Sequence, residues 1–105
     1  AGISASIFGC QGTTLGPDEA DFFAQSQPWG FILFARNIET PEQVYRLTQQ
    51  LRSALGRDAP ILIDQEGGRV QRLRAPHWRE WVPALDEVTG RSLTDAARLL
   101  YLRGV

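Results

Sequence analysis

Within nine positions, residues 64–72 hold two carboxylates, two guanidinium groups and a glycine pair: Asp64, Glu66, Gly67, Gly68, Arg69 and Arg72. An ionised carboxylate only accepts hydrogen bonds and can hold two neighbouring hydroxyls, whereas a guanidinium presents five donors in a fixed fork. At the end of a strand, with glycines beside them, they suit a ligand site. Asp64 and Glu66 invite a second reading, as the carboxylate pair of a hydrolase. Geometry argues against it, because residues two apart on a strand point the same way, about 6.6 Å apart. A pair that flanks a glycosidic bond must reach it from opposite sides. Gly67 and Gly68 serve as conformational residues, or they cradle a phosphate; no lysine-containing P-loop pattern follows them, so the phosphate signal is weak.

These residues need elements to hold them. Ile61 to Ile63 is short, apolar and β-branched, which predicts a buried strand ending at Asp64. Upstream, Gly30 to Ala35 is an uninterrupted apolar run and predicts a strand covered on both faces, closed by Arg36 and Asn37. Between these runs lies the clearest helix signal. Thr40 and Gln43 form a capping box, Pro41 takes the first position, and Gly56 supplies the left-handed stop. Val44, Leu47, Leu51 and Leu55 give one buried stripe; Glu42, Arg46, Gln49 and Arg52 take the wet face. Ser4 to Gly9 predicts a first strand, and Pro17-Asp18-Glu19 starts a helix that reaches about Gln25 before Pro28 breaks it. Alternation of strand and helix predicts an α/β fold with a parallel sheet. Residues 74–91 read as a long functional loop, and Ser92 or Thr94 caps a last helix.

The composition excludes several classes. With 105 residues, 43% hydrophobic, 22% charged and net charge −1, the chain is of ordinary globular type. Its basic residues, all arginine, are dispersed, so no nucleic-acid face is predicted. No stretch approaches the roughly 20 apolar residues of a membrane span, and the N-terminus lacks a signal-peptide pattern. The single Cys10 fits a reducing compartment and packs as a small buried hydrophobe, with no cationic neighbour to activate it. A cytoplasmic protein is the expectation, and the first residue, Ala1 rather than Met, implies trimming or a start inside a longer frame.

Residues 63–72, Ile-Asp-Gln-Glu-Gly-Gly-Arg-Val-Gln-Arg, resemble the signature of the β-N-acetylhexosaminidases of glycoside hydrolase family 3. Gly30 to Asn37 resembles the second strand of that family, at a matching distance upstream. The resemblance covers most of residues 1–90. It implies a (β/α)8 barrel with helices outside, of which this chain supplies the first three βα units. Such barrels need about 250 residues, so the chain is expected to be the N-terminal part of one barrel domain spanning 1–105 and beyond, completed by the remainder of the barrel. It also implies a retaining hydrolase that removes terminal non-reducing N-acetylglucosamine from peptidoglycan-derived muropeptides, with no metal or other cofactor. The family's nucleophile and acid/base are expected beyond Val105, so no catalytic residue is expected in this chain.

What the resemblance assigns here is sugar binding, by Asp64 and Arg72. The competing structural roles are a turn or cap aspartate, and an arginine exposed or paired with Glu66. Glu66 and Arg69 are read as structural ion-pairing residues ahead of ligand contacts, and Arg36 and Asn37 as supports behind the sugar site. His77, the only histidine, is expected at the surface; Trp78 and Trp81 either stack on a sugar or cover the barrel mouth. The alternatives kept open are a catalytically silent fragment, a β-glucosidase or phosphorolytic relative within the family, and an unrelated α/β module binding phosphate at Gly67-Gly68.

Overall fold

The computed structural model describes residues 2–81 together with 89, 92, 94, 95, 97 and 98. The chain forms two compact units, residues 1–63 and residues 64–105. In the first, β1 (Ser4–Phe8), α1 (Pro17–Ser26), β2 (Pro28–Leu33), a 3-10 turn (Ala35–Asn37), α2 (Pro41–Leu55) and β3 (Ile61–Ile63) follow in order. The three strands make one sheet in the order β1-β2-β3, and both pairings are parallel. The expected α/β alternation is present.

Its core lies where the two helices meet the sheet. Phe23 of α1, Phe31 and Leu33 of β2, and Leu47, Leu51 and Leu55 of α2 are all buried, with Phe8, Val44, Ile61 and Ile63 packed against them. Phe23 meets Phe31 edge-on at 4.9 Å. Each fully buried leucine contributes about 1.5–3 kcal/mol. The opposite face differs from the expectation of cover on both sides: Ile7 and Leu62 are 46% and 40% exposed, and Ile32 is half-buried. The described residues supply helices to one face only.

α2 forms as its caps dictate. Thr40 Oγ1 accepts the Gln43 backbone N–H at 3.1 Å, and Gly56 closes the helix at φ 71°. Arg52 departs from the expected wet face. It is half-buried because its Nε donates to Ala59 O at 3.0 Å and pairs with Asp58 at 3.1 Å. β2 starts two residues earlier than the apolar run and stops at Leu33. Phe34 is apolar enough to continue it, but Asn37 Oδ1 takes its N–H at 2.9 Å and turns the chain. Gly30 is required by its neighbour, since a Cβ there would lie 2.6 Å from Pro60 O.

The second unit contains β4 (Gln65–Gly67) and β5 (Val70–Gln71), a small antiparallel hairpin that the pattern of apolar residues does not announce. Gly67 and Gly68 make its turn at φ 96° and 59°, a left-handed region open to glycine. Of the long loop expected over 74–91, residues 74–81 are described and the rest, apart from 89, lies outside the described residues. The last helix lies largely outside them too. Within it, Asp95 N–H donates to Ser92 Oγ at 3.2 Å, the contact an N-cap serine makes.

Candidate functional site

The hairpin brings two of the sequence candidates together. Asp64 follows directly on the C-terminal end of β3, and Arg72 lies one residue beyond β5. Arg72 Nη2 donates to Asp64 Oδ2 at 3.4 Å, with 27% of the arginine and 41% of the aspartate side chain exposed. The carboxylate is thus steered by a cation and still open to a ligand. The ion pair that Arg72 forms here is with Asp64, and it is not one that the sequence reading considered. Nor do Asp64 and Glu66 share a strand: the chain leaves the sheet at Asp64 and begins β4 at Gln65.

Glu66 and Arg69 are both exposed. Gly67 is buried and paired with Val70. Gly68 N–H is donated to Trp81 O at 2.9 Å. That bond removes the donor a phosphate cradle would need, and no helix follows the pair. The glycines are therefore conformational.

Three polar side chains that the sequence reading passed over hold this unit. Gln65 Oε1 accepts from the backbone N–H of Arg72 (3.2 Å) and of Leu73 (3.1 Å), and its Nε2 donates to Leu73 O at 2.8 Å. Gln71, 2% exposed, donates to Leu73 O and Arg79 O at 2.8 and 2.7 Å and accepts from Trp81 N–H at 2.9 Å. Arg74 donates to Gln71 O and Gly68 O and pairs with Glu80 at 3.2 Å. The sequence signal for the glutamines is their position, two polar amides flanking a glycine turn.

His77 is exposed, with Trp78 edge-on at 5.8 Å, as expected of a surface histidine. The guanidinium of Arg79 covers the ring of Trp81 at 4.3 Å, so one face of that indole is already occupied.

In the first unit, Arg36 and Asn37 fix the loop that follows β1. Asn37 is fully buried; its Nδ2 donates to Cys10 O (3.0 Å), Cys10 Sγ (3.3 Å) and Gly12 O (2.8 Å). Arg36 Nε donates to Cys10 O at 3.0 Å while the guanidinium stacks on Phe34. Gln43 Nε2 extends the network to Thr13 O and Asn37 O. Cys10 is buried as expected, but it does have a cationic neighbour. Burial, aided by the charge of Glu19, outweighs Arg36 and pushes its thiol from 9.0 up to about 11. It is a packed thiol, not an activated nucleophile.

Among the described residues, no three His, Cys, Asp or Glu side chains converge as metal ligands. No helix among them is long and apolar enough to cross a membrane.

Comparison with known proteins supplies kinship. No family model matches the chain. A β-hexosaminidase of Stenotrophomonas maltophilia is 35% identical over 96 residues, which are 91% of this chain and 28% of that protein. One from Methylococcus capsulatus is 43% identical over 68 residues, 65% of this chain and 20% of the relative. Thus the chain spans between a fifth and a third of the curated relatives it matches. Among solved structures, NagZ from Neisseria gonorrhoeae superposes with TM-score 0.75 at 27% identity, covering 92% of this chain and 28% of that one. The same enzyme in complex with N-trifluoroacetyl-D-glucosamine gives 0.71 at 28% identity, covering 82% and 25%. A family 3 β-N-acetylglucosaminidase from Paenibacillus shares the fold, at TM-score 0.74 and 24% identity, over 94% of this chain and 21% of its own.

Proposed function

From the premise that this chain is homologous to the N-terminal part of the family 3 β-hexosaminidases, we propose that it forms the first three βα units of one (β/α)8 barrel domain, with Asp64 and Arg72 contributing to a site for terminal N-acetylglucosamine. The observation that carries the reading is the Asp64–Arg72 pair at 3.4 Å, immediately after the C-terminal end of a parallel strand. That is the end at which barrels of this kind build their sites. A carboxylate held by one guanidinium accepts from ring hydroxyls while the guanidinium donates to them. Contacts remote from the breaking bond orient the ring and help distort it toward an oxocarbenium-like state. Support for the ligand class comes from NagZ, whose complex holds an N-acylated glucosamine.

On this reading the complete polypeptide is a retaining hydrolase acting in the cytoplasm on muropeptides from the cell wall. The nucleophile and the acid/base belong to later barrel strands and loops, while Arg36 and Asn37 fix the loop after β1. The 105-residue chain by itself then gives no turnover.

The test is Asp64→Ala in the complete reading frame, assayed on an aryl N-acetyl-β-glucosaminide. Losing a charged hydrogen-bond acceptor of the sugar lowers kcat/KM by about 10- to 100-fold. Unchanged kcat/KM would remove Asp64 from the site.

A further inference from the structure

We propose that Gln65 is a positioning residue that sets Arg72 in register with Asp64, an inference whose functional meaning rests on the sugar-site reading above. β5 is only two residues long and ends at Gln71, which pairs with Gln65 across the hairpin. The paired register ends there, and the carboxamide of Gln65 carries the contact on to Arg72 and Leu73. It accepts both N–H groups, at 3.2 and 3.1 Å, and donates to Leu73 O at 2.8 Å. A primary amide does this as a backbone peptide would, because it carries acceptor and donor on one planar group.

The consequence falls on the side chain of Arg72. With its backbone held against Gln65, the next residue after Asp64, its guanidinium returns along the hairpin to Asp64 Oδ2, eight positions back. The other glutamine of the hairpin, the buried Gln71, has a different task. Its partners are Leu73 O, Arg79 O and Trp81 N–H, and none is an atom of Arg72. One glutamine fixes the loop at 79–81; the other fixes the sugar-facing arginine. Hydroxyl-binding pairs need placement to within about 0.5 Å, which is the precision three hydrogen bonds from a single group provide.

The test uses the complete polypeptide, isotopically labelled for NMR and titrated with N-acetylglucosamine. Gln65→Met keeps the side-chain length and removes all three hydrogen bonds. It is expected to weaken binding about tenfold and to expose the Arg72 and Leu73 amides to rapid exchange. Adding it to Arg72→Ala produces no further loss, because Gln65 acts through Arg72. Gln65→Glu keeps the acceptor, preserves protection of the two amides and restores part of the affinity. Wild-type affinity in Gln65→Met, in a titration where Asp64→Ala binds more weakly, overturns the inference and leaves the sugar site standing. If neither Asp64→Ala nor Arg72→Ala alters binding, the sugar-site reading falls instead, and the exchange of the two amides decides the positioning claim. Should Gln65→Met lose the dispersed signals of residues 4–55, Gln65→Glu carries the comparison. Unprotected Arg72 and Leu73 amides at wild-type sugar affinity in that variant overturn the inference equally.

Discussion

The two units of this chain are stable for different reasons. Residues 4–63 are held by burial: an apolar stripe on α2 and a phenylalanine from α1 close over one face of a parallel sheet, and backbone ladders do the rest. Among the described residues, 64–81 add no buried apolar residue to that core. Their order comes from side-chain amides and an arginine bonded to backbone atoms, with two glycines at positive φ making the turn. The sheet unit is thus held by burial, while the segment that follows it in sequence is fixed by a small number of directional bonds.

That contrast can be broken or sharpened by substitution. The largest effect is expected from Leu51→Ala, which opens a cavity at a fully buried position of α2. Denaturant unfolding should show a loss of about 2–5 kcal/mol, felt throughout the sheet unit. If Leu51→Ala instead costs less than a surface substitution, burial does not hold that unit. A smaller and more local effect is expected from Gln71→Ala, which removes the side-chain acceptor of Trp81 N–H and the donor to Arg79 O, while Leu73 O keeps its bond from Gln65. It should cost about 1–3 kcal/mol and release the Trp81 amide to exchange, leaving the amides of β1 and β2 protected. Global loss of protection would show that the hairpin is not a separately ordered segment.

The smallest effect concerns Cys10 and is silent at neutral pH. Its folded-state pKa of about 11 exceeds the ordinary 9.0, so the folded chain retains the thiol proton where the unfolded chain has released it. The associated stability is present in full below pH 9 and declines as pH rises through 9.0 toward about 11. Thermal melts across that window should therefore fall more steeply for the wild type than for Cys10→Ala. Parallel slopes would mean that the thiol is not held in its buried, protonated state.

The same division explains what could be read in advance. The Thr40-x-x-Gln43 box, the Leu47, Leu51, Leu55 stripe and the Gly56 stop are local patterns with periods set by the helix, and α2 follows them residue for residue. β2 was legible as a strand but not in its limits, because Phe34 is apolar while its N–H belongs to Asn37. The hairpin was not legible. Its strands are two and three residues long, mostly polar, and their alternation is too brief to register. Of the candidate site, Asp64 and Arg72 stood out by the resemblance of residues 63–72, yet their pairing depends on Gln65, whose partners are main-chain atoms that carry no residue identity. For the same reason the buried amides of Asn37 and Gln43 gave no signal of the loop they hold. Position along a strand is written in side chains; a clamp on the backbone is not.

This indifference to residue identity has an evolutionary side. Gln65 and Gln71 grip Leu73 and Arg79 by their carbonyl oxygens, and Leu73 and Trp81 by their N–H groups. Substitutions at those three positions leave the gripped atoms in place. The rim of the hairpin can exchange one side chain for another without surrendering its shape.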